Sequence, residues 1–163
     1  VSARDPYGAV KVPTALTFRE AIALRHWAKD KRVTEAGSLL GYSTIQLARS
    51  ARHVVAIDRH TGYDAQPNDS LRAFRNNLEL YGVAGRVSPV VGDYSLLRHH
   101  PADLVFIDLD GTFETTANAI AYARAPIIAV HDFGRSNCEG VAQAVSASGR
   151  HVAAQIDTLV ILV

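Results

Sequence analysis

The sequence predicts a doubly wound α/β domain, a seven-stranded sheet that is mostly parallel and closed by a C-terminal hairpin with one antiparallel strand. Short β-type runs alternate with helical segments from residue 32 to the end. Most links between successive runs are long enough for right-handed parallel crossovers. The last two runs are separated by only a few residues around Asp157, which leaves room for a hairpin and not for a crossover.

The elements follow in order. Residues 1–16 mix Gly, Pro and charge without periodicity and read as an extended lead-in with little chemistry of its own. The domain proper is expected to be single and to span 17–163. Phe18, Ile22, Leu24, Trp27 and Ala28 recur at helical spacing, and Thr17 with Glu20 occupies capping-box positions, so a helix is expected over 17–30. Strands are expected at 32–36, 53–57, 87–91, 104–107, 127–130, 152–155 and 159–163, and helices at 44–50, 69–81, 114–124 and 139–148. Residues 62–69 read as a loop. Phe18, Trp27 and Phe74 lie among aliphatic neighbours at helical spacing and are expected in the core.

Composition narrows the function. A chain of 163 residues suits one hydrophobic core, and 48% apolar with 20% charged residues is ordinary for a globular domain. The net charge is +1 and no run of Lys and Arg could track a phosphate backbone, so a nucleic-acid partner is not expected. The longest apolar stretches, 102–109 and 126–130, fall far short of the roughly 20 residues that span a bilayer, and no signal peptide is read. Cys138 is the single cysteine, so no internal disulfide forms, and a reducing cytoplasm is the default location. Cys138 is expected to be inert at a helix start, and His99 and His100 to be exposed. The expected partner is a small molecule, and a homodimer stays open as an assembly.

The chemistry is concentrated where strands end. Glu35-Ala36-Gly37-Ser38-Leu39-Leu40-Gly41-Tyr42-Ser43-Thr44 follows the first strand and opens a helix. Gly37 and Gly41 would let the backbone turn sharply against a ligand. The acidic-x-Gly-x-x-x-Gly spacing differs from the G-x-G-x-x-G that cradles a dinucleotide pyrophosphate, which disfavours NAD and FAD. A sulfonium cofactor carrying an amino acid wants a carboxylate for its ammonium, here Glu35, and hydroxyls with free amides at a helix start for its carboxylate, here Ser43 and Thr44. Asp58, roughly 20 residues on, can accept from ribose hydroxyls. The third strand ends in Gly92-Asp93, a carboxylate for an exocyclic adenine amine, with Tyr94 to pack on the ring.

Together with Val105-Phe106-Ile107-Asp108 and Val130-His131-Asp132, these motifs resemble class I S-adenosylmethionine methyltransferases of Rossmann-like fold, in order and spacing across nearly all of 17–163. Gly41-Tyr42-Ser43-Thr44 and the paired strand ends resemble the small O-methyltransferases in particular. The resemblance implies an enzyme that methylates a small-molecule hydroxyl. It implies cofactor contacts from Glu35, Gly37, Ser43, Asp58 and Asp93, with Asp108 and Asp132 at the mouth where the acceptor binds; Ser38, Gly41, Tyr42, Tyr94 and Asp108 are read with the cofactor contacts, and Asp108, Asp132 and His131 as the catalytic group, His131 being either a base or a polar residue that closes its strand. In metal-dependent branches Asp108 and Asp132 would hold a divalent cation, with Mg2+ the candidate. Two departures bear on that site. Phe133 stands where an Asn ligand often follows, and the chain reads Asp108-Leu109-Asp110-Gly111 where many relatives read Asp-x-Asp-His.

Two other readings carry content. A methyltransferase-fold module without catalysis would keep the same motifs. Asp108-Leu109-Asp110-Gly111-Thr112 also resembles the nucleophile loop of haloacid-dehalogenase-type phosphatases. That family needs a downstream basic residue, usually Lys, and Lys11, Lys29 and Lys31 all precede Asp108.

Overall fold

The computed structural model describes residues 10–63, 66–67 and 70–163. Residues 1–9 of the predicted lead-in and Asp69, the predicted start of the third helix, lie outside the described residues. The elements run α1 (Phe18–Ala28), β1 (Arg32–Ala36), α2 (Tyr42–Ala48), β2 (His53–Asp58), β3 (Gly62–Tyr63), β4 (Gln66–Pro67), α3 (Ser70–Leu80), β5 (Val87–Val91), β6 (Leu104–Ile107), α4 (Phe113–Tyr122), β7 (Ile127–Val130), α5 (Glu139–Ala147), β8 (Val152–Ile156) and β9 (Leu159–Leu162). Short 3₁₀ turns cover Ala84–Arg86 and Tyr94–His99.

The main sheet has seven strands in the order β5-β2-β1-β6-β7-β9-β8. The pairs β1–β2, β1–β6, β2–β5 and β6–β7 are parallel, whereas β9 lies antiparallel between β7 and β8. This is the predicted seven-stranded topology with its C-terminal hairpin. The two-residue ladder β3–β4 forms within the segment read as a plain loop.

Period-two alternation explains why β6, β7 and β9 read as unbroken apolar runs: each buries both faces. In β6, Leu104 and Phe106 join one core with α1, α2 and α3, while Val105 and Ile107 join the other with α4 and α5. In β9, Leu159 and Ile161 face the first core, and Val160 and Leu162 the second. Helices thus cover both faces of the sheet.

Several boundaries and exposures differ from the sequence reading. Helix α2 begins at Tyr42 rather than 44, because Gly41 at φ +92° turns the chain directly into the helix without a side-chain cap. Phe18 is 63% exposed although core burial was expected, since it sits on the outer side of α1, while Leu24 and Ala28 face inward. Phe74 is fully buried and Trp27 packs against the first core while partly exposed. The lead-in is not inert: Val12 and Leu16 are buried in the first core. His99 is exposed and His100 half-buried, in and just after the Tyr94–His99 turn.

The Asp-Leu-Asp-Gly-Thr string has a structural explanation. Thr112 caps α4 by accepting from the Thr115 amide, and Asp110 accepts from the Thr112 amide and from the Thr112 and Thr115 hydroxyls. Gly111, at φ +75°, lies against Cys138, so a side chain there would press on its sulfur. Cys138 is buried at the start of α5, and that burial pushes its thiol above the usual range, away from reactivity.

Candidate active site

The strand order reverses between β1 and β6, and in open α/β sheets the crevice outside the strand ends at such a point is where ligands bind. A cavity of about 840 Å³ opens there, within the size range of small-molecule sites. Gly37, Ser38, Tyr42, Ser43, Asp58, Asp93, Tyr94 and Asp108 all line it. So do Pro13, Thr14 and Ala15, a wall from the lead-in that sequence reasoning missed.

The loop after β1 is shaped by close contact. Gly37, at φ +92°, passes so near the end of β6 that a Cβ would lie 1.8 Å from the Asp108 carbonyl oxygen. Gly41, also at φ +92°, faces the Phe74 ring, where a Cβ would meet carbon at 3.0 Å. Asp58 fastens the loop from the next strand, its Oδ2 accepting from the Leu39 amide at 2.8 Å and its Oδ1 from the His60 amide at 2.7 Å. Each carboxylate oxygen keeps a further lone pair.

Glu35 does not reach the cleft as a free carboxylate. It is fully buried in β1, accepting from the Ser43 hydroxyl at 2.5 Å through Oε1 and from the Thr44 hydroxyl through Oε2. Burial pushes its carboxyl up to about 8, against the two hydroxyl hydrogen bonds that favour the charged form. The direct ammonium contact expected of Glu35 is therefore replaced by a tie between β1 and the start of α2. Ser38 contrasts with it: the side chain is 2% exposed, lines the cleft, and its hydroxyl has no hydrogen-bond partner.

The Asp93 end of the cleft has its own order. Asp93 caps the Tyr94–His99 turn by accepting from the Ser95 amide at 2.8 Å, and its bonding with Ser95 holds the carboxyl below the usual range, with Arg59 assisting. Tyr94 stacks on Tyr122 with ring centroids 6.2 Å apart, and Arg98 lies over the other ring at 4.1 Å.

The ends of β6 and β7 bring Asp108, His131 and Asp132 together. His131 Nδ1 lies 3.2 Å from Asp108 Oδ1 and 3.3 Å from Asp132 Oδ1, and its Nε2 lies 3.4 Å from Glu20 Oε2. Burial pushes the imidazole down, but the hydrogen bond and charge of Asp108, with Asp132 and Glu20, outweigh it and hold His131 above its ordinary value. Arg135 donates to Asp132 Oδ1 at 2.6 Å. Asp132 sits at φ +64°, an unusual backbone state for a non-glycine residue.

Potential ligand atoms of Asp108, His131 and Asp132 lie within 4.8 Å of one another. Two carboxylates and an imidazole form a donor set that suits divalent first-row metals. His131 offers that set a third donor, whereas Phe133 offers none. The Ser38 hydroxyl and the glycine-lined loop fit a ligand in the cleft on separate grounds, one lacking a partner and the other leaving no room for side chains.

The strand order, the loop after β1 and the carboxylates at successive strand ends give the chain the Rossmann-like fold of the class I S-adenosylmethionine-dependent methyltransferases. The solved relatives agree. The cofactor-bound Rv0187 protein from MTB superposes with a TM-score of 0.72 at 28% identity, covering 96% of this chain and 85% of that one. The O-methyltransferase TomG from Streptomyces achromogenes, solved with SAM, shares the fold at a TM-score of 0.64 and 21% identity, over 91% of this chain and 81% of its own. In sequence, the chain is 44% identical over 84 residues to a catechol O-methyltransferase of Mycobacterium tuberculosis. That match spans 49% of this chain and 36% of the relative, about a third of its length. No family model matches the chain. Among the described residues no helix is long and apolar enough to cross a membrane.

Proposed function

We propose that this domain transfers the methyl group of S-adenosylmethionine to a hydroxyl of a small molecule. The observation that carries the reading is the convergence of Ser38, Asp58, Asp93 and Asp108, from four different strand ends, on one cleft. The likeness to the catechol enzyme and to solved O-methyltransferases supports the choice of oxygen as acceptor.

When bound, S-adenosylmethionine supplies an electrophilic methyl on a sulfonium, and a divalent first-row cation such as Mn2+ would lower the pKa of the acceptor hydroxyl. Asp58 accepts from the ribose hydroxyls with the lone pairs its backbone contacts leave, and Asp93 accepts from the adenine amine beside Tyr94. Ser38 offers its unpartnered hydroxyl to the amino-acid end, and the Gly37 loop keeps that end close to Asp108. The domain's main contribution is alignment for in-line displacement, worth up to about 7–11 kcal/mol when the geometry is right. No covalent intermediate with the protein is needed.

Asp108, Asp132 and His131, through Nδ1, would hold the cation. The acceptor sits against Asp108, the cluster member that lines the cleft. The carboxylates around His131 hold it above its ordinary value and orient it within the cluster.

The test is methyl transfer from radiolabelled S-adenosylmethionine to a panel of catechols, phenols and sugars, with Mg2+ or chelator. Labelled ether product that disappears in Asp108→Asn supports the reading. Tight cofactor binding with no transfer to any hydroxyl would favour a non-catalytic binding module.

A further inference from the structure

Glu20 has more partners than a capping box needs. It is fully buried on α1, and its Oε2 accepts from the Thr17 amide at 2.7 Å, the ordinary capping contact. Its Oε1 accepts from both the amide and the hydroxyl of Thr158, each at 2.8 Å, in the β8–β9 turn. Oε2 also lies 3.4 Å from His131 Nε2. That ring nitrogen is buried without a hydrogen-bond partner of good geometry, in a side chain 1% exposed. The opposite nitrogen of the ring faces Asp108 and Asp132.

The groups around the ring are Glu20 from α1, Asp108 after β6, Asp132 after β7, and Arg135, which reaches it only through Asp132. A ring set between carboxylates can turn either edge to the site. Glu20 removes that freedom, since a carboxylate anchored by three donors offers Nε2–H a fixed acceptor. Nδ1 is then left to the acceptor end. Carboxylates behind a ligating histidine act in this way, fixing the tautomer and the ring orientation.

We propose that Glu20 is a positioning residue that holds the Nε2–H edge of His131 and so presents Nδ1 to the site formed with Asp108 and Asp132. Its functional consequence rests on the reading of those three residues as cation ligands. Helix α1 is thereby part of the active site, although none of the carboxylate is exposed to the cleft.

The experiment measures Mn2+ affinity by electron paramagnetic resonance on the full chain, for the wild type, Glu20→Gln, His131→Ala and the double variant. Gln at this position has one acceptor oxygen, enough to keep the Thr158 contacts while its amide nitrogen faces the Thr17 amide and the ring. Glu20→Gln is expected to weaken Mn2+ binding about 10- to 100-fold, and to have no further effect once His131 is Ala. Thr17→Ala, which removes the cap hydroxyl and leaves the ring alone, should lower thermal stability with Mn2+ affinity unchanged. Equal Mn2+ affinity in wild type and Glu20→Gln, or a loss that persists in the His131→Ala background, would overturn the proposal.

A second readout separates this failure from failure of the cation reading. Long-range proton–nitrogen correlation on ring-labelled histidine reports His131 directly, with His131→Ala assigning the signals. If the wild type binds no Mn2+, the cation reading falls, and Glu20 is judged by the ring alone. A protonated Nε2 whose shift moves in Glu20→Gln supports the positioning role, and identical ring signals refute it.

Discussion

The Gly37 backbone lies so close to Asp108 that a Cβ on Gly37 would come within 1.8 Å of the Asp108 carbonyl oxygen. One contact therefore joins the loop proposed to hold the cofactor to the strand end proposed to hold the acceptor.

Gly37→Ala is expected to lose stability and S-adenosylmethionine binding together. The left-handed backbone alone costs about 1–3 kcal/mol for a non-glycine residue, and the clash with Asp108 adds to it. Gly82 is the control, since it has a similar φ of +67° with nothing within 4 Å of a Cβ. Gly82→Ala should bind cofactor normally. Calorimetry beside thermal melts decides, and normal binding by Gly37→Ala would show that the loop and the strand end are not coupled.

Asp58→Ala should weaken S-adenosylmethionine binding by about 1.5–3 kcal/mol, the range for hydrogen bonds to a charged group. Titration of the folded variant reads it as a roughly ten- to hundredfold rise in Kd. Asp58 also accepts from the Leu39 and His60 amides, so a modest fall in melting temperature should accompany the loss. Unchanged affinity would remove Asp58 from the ribose site.

Ser38→Ala separates binding from folding. Its hydroxyl is buried without a partner, so removing it should leave the ligand-free melting temperature level or slightly raised. Cofactor affinity should fall by about 1 kcal/mol, roughly fivefold. Equal affinity in the two proteins would mean that the hydroxyl faces no ligand.

Glu35 gives the pH dependence. Its carboxyl is raised in the folded state to about 8 from 4.5, so the folded chain binds more protons than the unfolded chain between those values. Its contribution to stability is fully present below about pH 4.5 and is lost as pH rises through about 8. Glu35→Gln, which cannot ionise, should therefore gain on the wild type steadily across that window in urea melts. A constant difference between the two proteins from pH 5 to 8 would contradict the assigned shift.

The sheet was legible because its central strands bury both faces, and Leu104 to Ile107 can hardly be read otherwise. The strand-end residues were legible because the crossovers set their order, and Asp58, Asp93 and Asp108 do reach one cleft. Other features have no local signal. Glu20 carries the pattern of an ordinary helix cap, and only the fold brings Thr158 and His131 to its other contacts. The lead-in lacks periodicity, yet Val12 and Leu16 anchor it so that Pro13 to Ala15 form a cleft wall. Phe18 had the right spacing for the core and faces outward, since periodicity gives the stripe and not which edge of it is covered.

The measurement that bears most directly on the central claim is calorimetric titration of the purified chain with S-adenosylmethionine and S-adenosylhomocysteine, with NAD as the control. Saturable one-to-one binding of the first two, no heat from NAD and a weakened isotherm for Asp58→Ala are the expected results. Binding of NAD, or binding of neither sulfur ligand by a folded protein, would contradict the assignment of this cleft.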